Sequence, residues 1–208
     1  MKKNMLSKSR HGGIAGFHRA NGIVFLLAII LTCANLGAAS SAGEINQEIH
    51  VKAGFVYKFL QYVTWPDDDK AMDDGDVFLI SVVGGSSYLQ TFKELTKLKT
   101  TSGKRIEIRK GSVDEDLSES QIVFIATDNE STVKKVLTNL DGSPTLTISD
   151  GDNLAELGTM ISFVNIETSK GWKVRFEINN QAAKDAGLKI GAQLLKLAIQ
   201  VVNSGDDE

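Results

Sequence analysis

The stretch between residues 158 and 202 constrains the fold of this chain more than any other. Two strand-like runs, 159–166 and 172–179, flank the polar, glycine-containing link 167–171, and this is the pattern of a β-hairpin. The second run alternates between apolar and polar side chains. One of its faces is therefore expected to pack on a core, and the other to meet water or a partner. The apolar positions are Trp172, Val174, Phe176 and Ile178, and the polar ones are Lys173, Arg175, Glu177 and Asn179.

Two helices are predicted after the hairpin. Asn179 is a suitable N-cap for a short helix, and Gly187 is a natural C-terminal stop for it. A last helix, over residues 192–202, would close the core with its apolar side chains, which are Ala192, Leu194, Leu195, Leu197, Ala198, Val201 and Val202.

The residues before the hairpin alternate between buried strands and helices. An amphipathic helix is predicted over 44–63, because apolar side chains recur there at helical spacing and Pro66 prevents its continuation. Further helices are expected near 88–98, 133–140 and 154–157. The strands are predicted near residues 77, 105, 122, 145, 160 and 173. The fold class is therefore α/β: one domain with a central, mixed but mostly parallel sheet of about six strands, flanked by helices and completed by the C-terminal hairpin and two helices.

Residues 1–42 have the composition of a signal peptide. A basic segment precedes the apolar run 23–31, which is too short to span a bilayer comfortably, and small residues follow up to Ala42. We predict export to the periplasm with cleavage after Ala42, the alternative being an uncleaved membrane anchor. The chain has one cysteine, Cys33. A lipoprotein signal places a small residue before its cysteine, and Thr32 fits this poorly, so Cys33 is expected to leave with the signal.

Removal of the signal makes the chain strongly acidic. The whole chain has 23 Lys and Arg against 26 Asp and Glu. Five of the basic residues and none of the acidic ones lie in residues 1–42, so 18 remain against 26 and the formal charge falls from −3 to −8. This charge argues against nucleic-acid binding. Residues 43–204 are expected to form one domain, and residues 205–208 a disordered tail.

Catalytic and metal-binding chemistry find little support in the mature sequence. Of three histidines, His11 and His18 lie in the predicted signal and only His50 remains. One histidine without cysteine cannot form Cys/His zinc sites, and no nucleophile elbow accompanies His50. We interpret the chain as a non-enzyme with no cofactor, no metal and no catalytic residues. A carboxylate pair of the glycosidase kind is the alternative.

A strand–glycine–helix turn at Gly84, Gly85, Ser86 and Ser87 is a candidate ligand turn. Such turns bind anions on helix N-terminal amides in many α/β proteins. The run VVGGSS matches neither the dinucleotide fingerprint nor the P-loop, so a simple tight turn is the favoured interpretation.

Three segments, in matching order, resemble the YfiR family of small periplasmic regulators. They are VKAGFVYKFLQYVTWP at 51–66, LTISD at 146–150 followed by GTMISF at 158–163, and VRFEINNQAAKDAGLKIGAQLLKLA at 174–198. The resemblance covers about residues 45–202. It implies a protein, often dimeric, that binds the periplasmic sensor domain of an inner-membrane signalling protein. The best-known partner is a YfiN-type diguanylate cyclase, which such regulators hold inactive, with effects on cyclic di-GMP and biofilm formation. Family members can carry cysteines, whereas the mature chain is expected to have none.

Three functions therefore compete. The first is a periplasmic regulator that represses an inner-membrane diguanylate cyclase or sensor kinase and does not itself insert into the membrane after signal cleavage. The second is a small-molecule-binding or sensing protein with its ligand near residues 84–87. The third is a secreted hydrolase of the carboxylate type, and the missing catalytic groups weigh against it.

The hairpin offers candidate partner contacts for the first function. A regulator without catalysis must bind two states of its partner differently, and exposed aromatic and arginine side chains usually carry such binding. Arg175 is expected to point outward, because it alternates with Val174 and Phe176. Trp172 begins its strand, and Phe163 is expected within its reach. The alternative is that Phe163 and Trp172 cap the edge of the core.

Overall fold

The structure is a computed structural model that describes residues 36–66, 77–100, 102–169 and 171–203. Most of the predicted signal peptide, residues 67–76 and the predicted tail 205–208 lie outside the described residues. The chain divides into a compact unit Ile45–Glu208 and a separate unit Met1–Glu44.

Helices and strands alternate along the chain. The helices are α1 (Leu36–Phe59), α2 (Ser86–Phe92), α3 (Glu130–Asn139), α4 (Asn180–Asp185) and α5 (Ala192–Leu195), and a 3-10 helix (Lys93–Lys97) follows α2. The strands are β1 (Val63–Thr64), β2 (Val77–Gly84), β3 (Arg105–Gly111), β4 (Ile122–Ala126), β5 (Leu146–Asp150), β6 (Ile161–Thr168), β7 (Gly171–Asn179), β8 (Lys189–Ile190) and β9 (Gln200–Val202).

Seven strands form one central sheet in the order β3-β2-β4-β5-β6-β7-β9. Neighbours from β3 to β6 are parallel, β6 and β7 form the antiparallel hairpin, and β9 pairs with β7 in parallel. The predicted class, an α/β domain with a mostly parallel sheet and a C-terminal hairpin, is confirmed. Strands β1 and β8 form a separate antiparallel pair.

Aromatic side chains fill the core on the face of the sheet that α1 covers. The ring of Phe59 lies 5.8 Å from that of Phe163 and 5.3 Å from that of Phe176. Trp65 closes one end of this core against Phe78, and its Nε1 donates to the carbonyl of Gln121 at 3.2 Å. The opposite face packs on α3 through a second cluster that includes Val123, Ile125, Val133 and Val136.

The prediction of a last helix over residues 192–202 is wrong. Only α5 is helical, and residues 200–202 form β9, whose register pairs Ile178 with Val201. Pairing with β7 satisfies backbone groups that the isolated segment cannot satisfy, and the β-branched Val201 and Val202 suit a strand. The predicted short helix near 154–157 is a turn, and α1 ends at Phe59, before the position predicted from Pro66.

The prediction that the polar face of β7 meets water or a partner is also wrong for the second half of the strand. Glu177 and Asn179 are only 7% and 4% exposed, because the turn 152–158 lies over this part of the sheet. Asn179 donates to the carbonyl of Ala155 at 2.9 Å, and its Oδ1 accepts from the Ala182 amide. The latter contact is the N-cap predicted for α4.

Candidate functional site

A cavity of about 590 Å³ opens at the carboxyl ends of β4 and β5. In α/β sheets ligands bind outside the carboxyl ends of the strands. The strand order reverses between β2 and β4, but no residue of β2 lines this cavity, whose strand residues come from β4, β5 and β6. The charged and amide side chains that line the cavity are Glu48, Lys52, Asp128, Asp150, Asp152 and Asn165.

Lys52 is a buried cation held between two carboxylates. It is 1% exposed, and its Nζ binds Glu48, one turn earlier on α1, and Oδ1 of Asp150 at 2.5 Å. An ammonium group removed from water needs such partners to remain charged. The ion triad therefore ties α1 to the carboxyl end of β5.

Tyr88 extends the triad on the side of α2. Its hydroxyl donates to Oδ2 of Asp150. Burial raises the pKa of Tyr88 well above its ordinary value, and the hydrogen bond to the Asp150 carboxylate raises it further. Asp150 therefore accepts from Lys52 with one oxygen and from a neutral phenol with the other.

Glu48 joins the triad to the hairpin. Asn165 on β6 donates from Nδ2 to Oε1 of Glu48 at 2.7 Å. Partial burial acts to raise the pKa of Glu48, but the hydrogen bonds from Asn165 and Lys52 and the Lys52 charge outweigh it and hold the pKa below the ordinary value. Glu48 is therefore an ionised link between α1 and β6.

The glycine turn is explained by packing at the end of β2. Gly84 and Gly85 have positive φ, and a Cβ on Gly85 would lie 2.8 Å from Cβ of Ala126 and 2.9 Å from Cδ2 of Tyr88. The residues 84–87 are not among those that line the cavity. The turn positions Tyr88 for its bond to Asp150, and its role as a ligand turn stays a prediction.

The half of the hairpin next to the turn between β6 and β7 is exposed on both faces. Trp172 is 67% exposed and Arg175 is exposed, whereas Phe163 is fully buried against Phe59. The register pairs Trp172 with Glu167, four residues along β6 from Phe163. The structure therefore leaves Trp172 and Arg175 accessible and does not bring Phe163 to them.

Glu177 is a second buried charge. Its Oε2 has no hydrogen-bond partner in the described part of the chain. Burial raises the pKa of Glu177, and the charges of Glu156 and Asp152 raise it further. Glu177 is therefore buried at a position where the alternation of β7 predicts a side chain that meets water or a partner, whereas Arg175 is exposed as predicted.

Sequence reasoning missed the residues of the ion triad, although one signal was present. Lys52 lies three residues after Ile49 and four before Val56, in the middle of the apolar stripe of α1. A lysine at such a position must find a buried acceptor. The identity of that acceptor, Asp150, depends on a contact across 98 positions that local patterns do not encode.

Within the described residues, no three or more histidine, cysteine or acidic side chains come together so as to hold a metal ion. His50 is exposed, and its ring nitrogen donates to the Asn46 carbonyl at 2.6 Å. None of the described helices is both long and apolar enough to cross a membrane.

The fold is an α/β domain whose C-terminal hairpin carries an exposed tryptophan and an exposed arginine. The family model described as YfiR/HmsC-like matches residues 49–199, and the chain belongs to this family. This confirms the resemblance found in the sequence. Proteins of this family are periplasmic regulators of diguanylate cyclase signalling rather than catalysts, and the match supports a regulatory role of this general kind.

Two solved structures are similar to parts of the chain. A conserved domain protein from Vibrio cholerae O1 biovar El Tor strain N16961 shares 14% identity at a TM-score of 0.49, over 74% of this chain and 60% of that one. The ABC domain in complex with L-Trp from Streptococcus pneumonia shares 19% identity at a TM-score of 0.44, over 60% of this chain and 55% of that one. The chain thus spans less than two thirds of either structure, and at these scores neither carries an argument about function.

Proposed function

We propose that this chain binds the periplasmic sensor domain of an inner-membrane diguanylate cyclase and holds the enzyme inactive. The observation that carries the proposal is the YfiR/HmsC-like match over residues 49–199. A sensor kinase is the other class of membrane partner that the resemblance admits. The proposal includes a homodimer and an effect on biofilm formation through cyclic di-GMP.

The exposed half of the hairpin is the proposed contact surface. Repression by binding requires tighter binding to the inactive state of the cyclase than to the active one. Trp172 and Arg175 are of the residue types that usually carry such binding energy, and both are accessible. Phe163 is not included, because its burial supports the alternative that it belongs to the core.

Co-purification of the mature chain with the periplasmic sensor domain of a diguanylate cyclase from the same organism tests the proposal. We expect Trp172→Ala and Arg175→Glu to lower binding at least tenfold and to raise cellular cyclic di-GMP, at unchanged thermal unfolding. Leu98→Ala, at another exposed apolar side chain, serves as the matched control and should bind normally. Wild-type protein that does not bind the sensor domain would refute the proposed function.

Export by a signal peptide over residues 1–42 is part of the proposal. Mass spectrometry of the exported protein should find an N-terminus near Gly43. A chain that begins at Met1, or a lipid on Cys33, would contradict it. Pure mature protein should also show no hydrolase turnover that depends on a single carboxylate.

The cavity favours a second candidate function, the binding of a small polar molecule. Its lining contains four carboxylates, at Glu48, Asp128, Asp150 and Asp152, against the one ammonium of Lys52. Such a lining attracts cations and repels anions. Calorimetric titration with putrescine and arginine, with succinate as the anionic control, tests this. Binding of the amines that Asp128→Asn weakens would support the function, and equal heats for all three compounds would reject it.

A further inference from the structure

Strand β7 has an open edge over its first five residues. Its two neighbours in the sheet are β6, which pairs with the whole strand, and β9, which pairs only with residues 177–179. The last contact from the β9 side is the amide of Ile199, which donates to the carbonyl of Phe176 at 3.0 Å. Among the described residues, nothing pairs with the remaining edge at 171–175.

The hydrogen-bond pattern identifies which backbone groups face this edge. The Asn179 amide donates to Met160, toward β6, and the Phe176 carbonyl accepts from Ile199, away from β6. Backbone groups of an antiparallel strand alternate between its two sides. Residues 173 and 175 therefore bond to β6, whereas the amides and carbonyls of Trp172 and Val174 face the open edge.

The side chains around the edge define the chemistry of an occupant. Lys173 and Arg175 are exposed on one face, and neither forms an ion pair with a described residue. Trp172 and Val174 occupy the other face, and the exposed Ile199 directly precedes the first residue of β9. An added strand would thus meet two cations on one face and apolar side chains on the other.

We infer that this edge accepts an extended segment of the partner protein as an additional β-strand, with carboxylates at alternate positions. The inference rests on the proposed function and specifies its mode of binding. Unpaired backbone groups on an exposed edge are a template for strand addition, and alternate side chains give it specificity. The carboxylates pair with Lys173 and Arg175 on one face, while apolar side chains cover Trp172 on the other.

A second copy of this chain fits the edge less well. Antiparallel pairing of two β7 edges about Val174 would place Lys173 of each copy opposite Arg175 of the other. Like charges directly opposite each other destabilise a strand pair. The other sheet edge, at β3, is also a poorer template, because its exposed arginine Arg105 already pairs with Glu107 at 3.7 Å.

Amide exchange measured by NMR on the mature chain tests the inference. The first probe is the periplasmic sensor domain, and the second is a ten-residue peptide of alternating Glu and Val, with an alternating Lys and Val peptide as its control. When the chain is saturated with the sensor domain or with the Glu and Val peptide, we expect the Trp172 and Val174 amides to exchange at least tenfold more slowly than in the free chain. The amides of Lys173 and Arg175, already bonded to β6, should change little.

The substitution Val174→Pro provides a second readout, with Val174→Ala as its matched control. Proline removes an amide that faces the open edge and leaves the bonds to β6 intact, which edge strands tolerate. We expect Val174→Ala to bind within about threefold of wild type and Val174→Pro to bind at least tenfold more weakly. Equal binding by both variants would overturn the inference.

The outcomes separate this inference from the proposed function. Sensor-domain binding without protection of Trp172 and Val174 overturns the strand addition and leaves the function intact. Protection by the Glu and Val peptide without any sensor-domain binding supports the edge and refutes the function. If neither the sensor domain nor the Glu and Val peptide binds, the inference and the proposed function are both overturned. Equal protection by the Lys and Val peptide would overturn the acidic character of the added strand. Protection that appears as the protein's own concentration rises would assign the edge to a second copy instead.

Discussion

Lys52 is a buried charge whose two carboxylate partners come from different parts of the fold. Removal of one member of a buried ion pair leaves the others without compensation. We expect Lys52→Met, which keeps the side-chain length, to destabilise the domain by about 3 kcal/mol in denaturant unfolding. The matched control is Lys134→Met, since Lys134 and Glu130 form a pair at the same helical spacing with both side chains exposed. That variant should change the unfolding free energy by about 0.5 kcal/mol or less.

Equal losses in the two lysine variants would contradict this account. They would mean that the burial of Lys52 contributes nothing beyond an ordinary surface pair, and that the triad does not tie α1 to β5.

Glu177 should make the stability of the domain depend on pH. Its pKa is raised in the folded state by burial and by the charges of Glu156 and Asp152. The folded protein therefore holds the Glu177 proton more tightly than the unfolded chain does. The resulting stability is present below the ordinary glutamate pKa of about 4.3 and is lost as the pH rises through the raised value.

The variant Glu177→Gln removes this charge. We expect it to be more stable than wild type by about 1 kcal/mol at pH 7, because a buried, unpartnered carboxylate oxygen is no longer charged. The difference should shrink toward pH 4, where both proteins are neutral at this position. Thermal unfolding across this range is the measurement, with Glu167→Gln on the exposed half of the hairpin as control. A difference that grows toward low pH would have the wrong sign and would refute the explanation.

At the scale of elements, the turn between β2 and α2 depends on the close approach of Gly85 to β4. The change Gly85→Ala introduces a Cβ at a φ of +45° and within 2.8 Å of Ala126. We expect it to cost about 3 kcal/mol, from backbone strain and overpacking together. Gly142→Ala, at a φ of +72° with nothing within 4 Å, isolates the backbone part and should cost about 1 kcal/mol.

Denaturant unfolding of the two glycine variants separates the two causes. If Gly85→Ala costs no more than Gly142→Ala, then the turn is not held against Ala126. In that case the position of Tyr88 beside Asp150 would need another explanation.

The elements that the sequence predicted well are those with strong local patterns. The buried strand runs and the hairpin were recognisable because apolar side chains follow a period of two or form short unbroken runs. Strand β9 was not, since residues 192–202 also fit a helical pattern and only the parallel pairing with β7 decides between them. The burial of Glu177 follows from the turn 152–158 that covers it, and no alternation within β7 could indicate that. Lys52 was recognisable from its place in an apolar stripe, but its partners were not.

At the scale of the whole molecule, the sheet ends in two different edges. Strand β3 closes one side with charges of both signs, among them Arg105 and Glu107. On the other side, Lys173 and Arg175 flank the open part of β7 without acidic partners among the described residues. The sequence as a whole carries more acidic than basic residues. We expect a cationic edge on such an acidic molecule to orient an acidic partner segment, because the rest of the surface repels it.

Charge reversal at the two edges separates this local effect from the net charge of the chain. Arg175→Glu and Arg105→Glu each replace an exposed arginine in a strand and change the formal charge by the same amount. We expect Arg175→Glu to weaken binding of the sensor domain at least tenfold, and Arg105→Glu to leave it within about twofold, in surface plasmon resonance at 0.15 M salt. Raising the salt should weaken the wild type and the Arg105→Glu variant but have less effect on Arg175→Glu, since screening removes an attraction that this variant lacks. Equal losses in both variants would mean that the partner responds to the overall charge and that the hairpin edge has no special part in recognition.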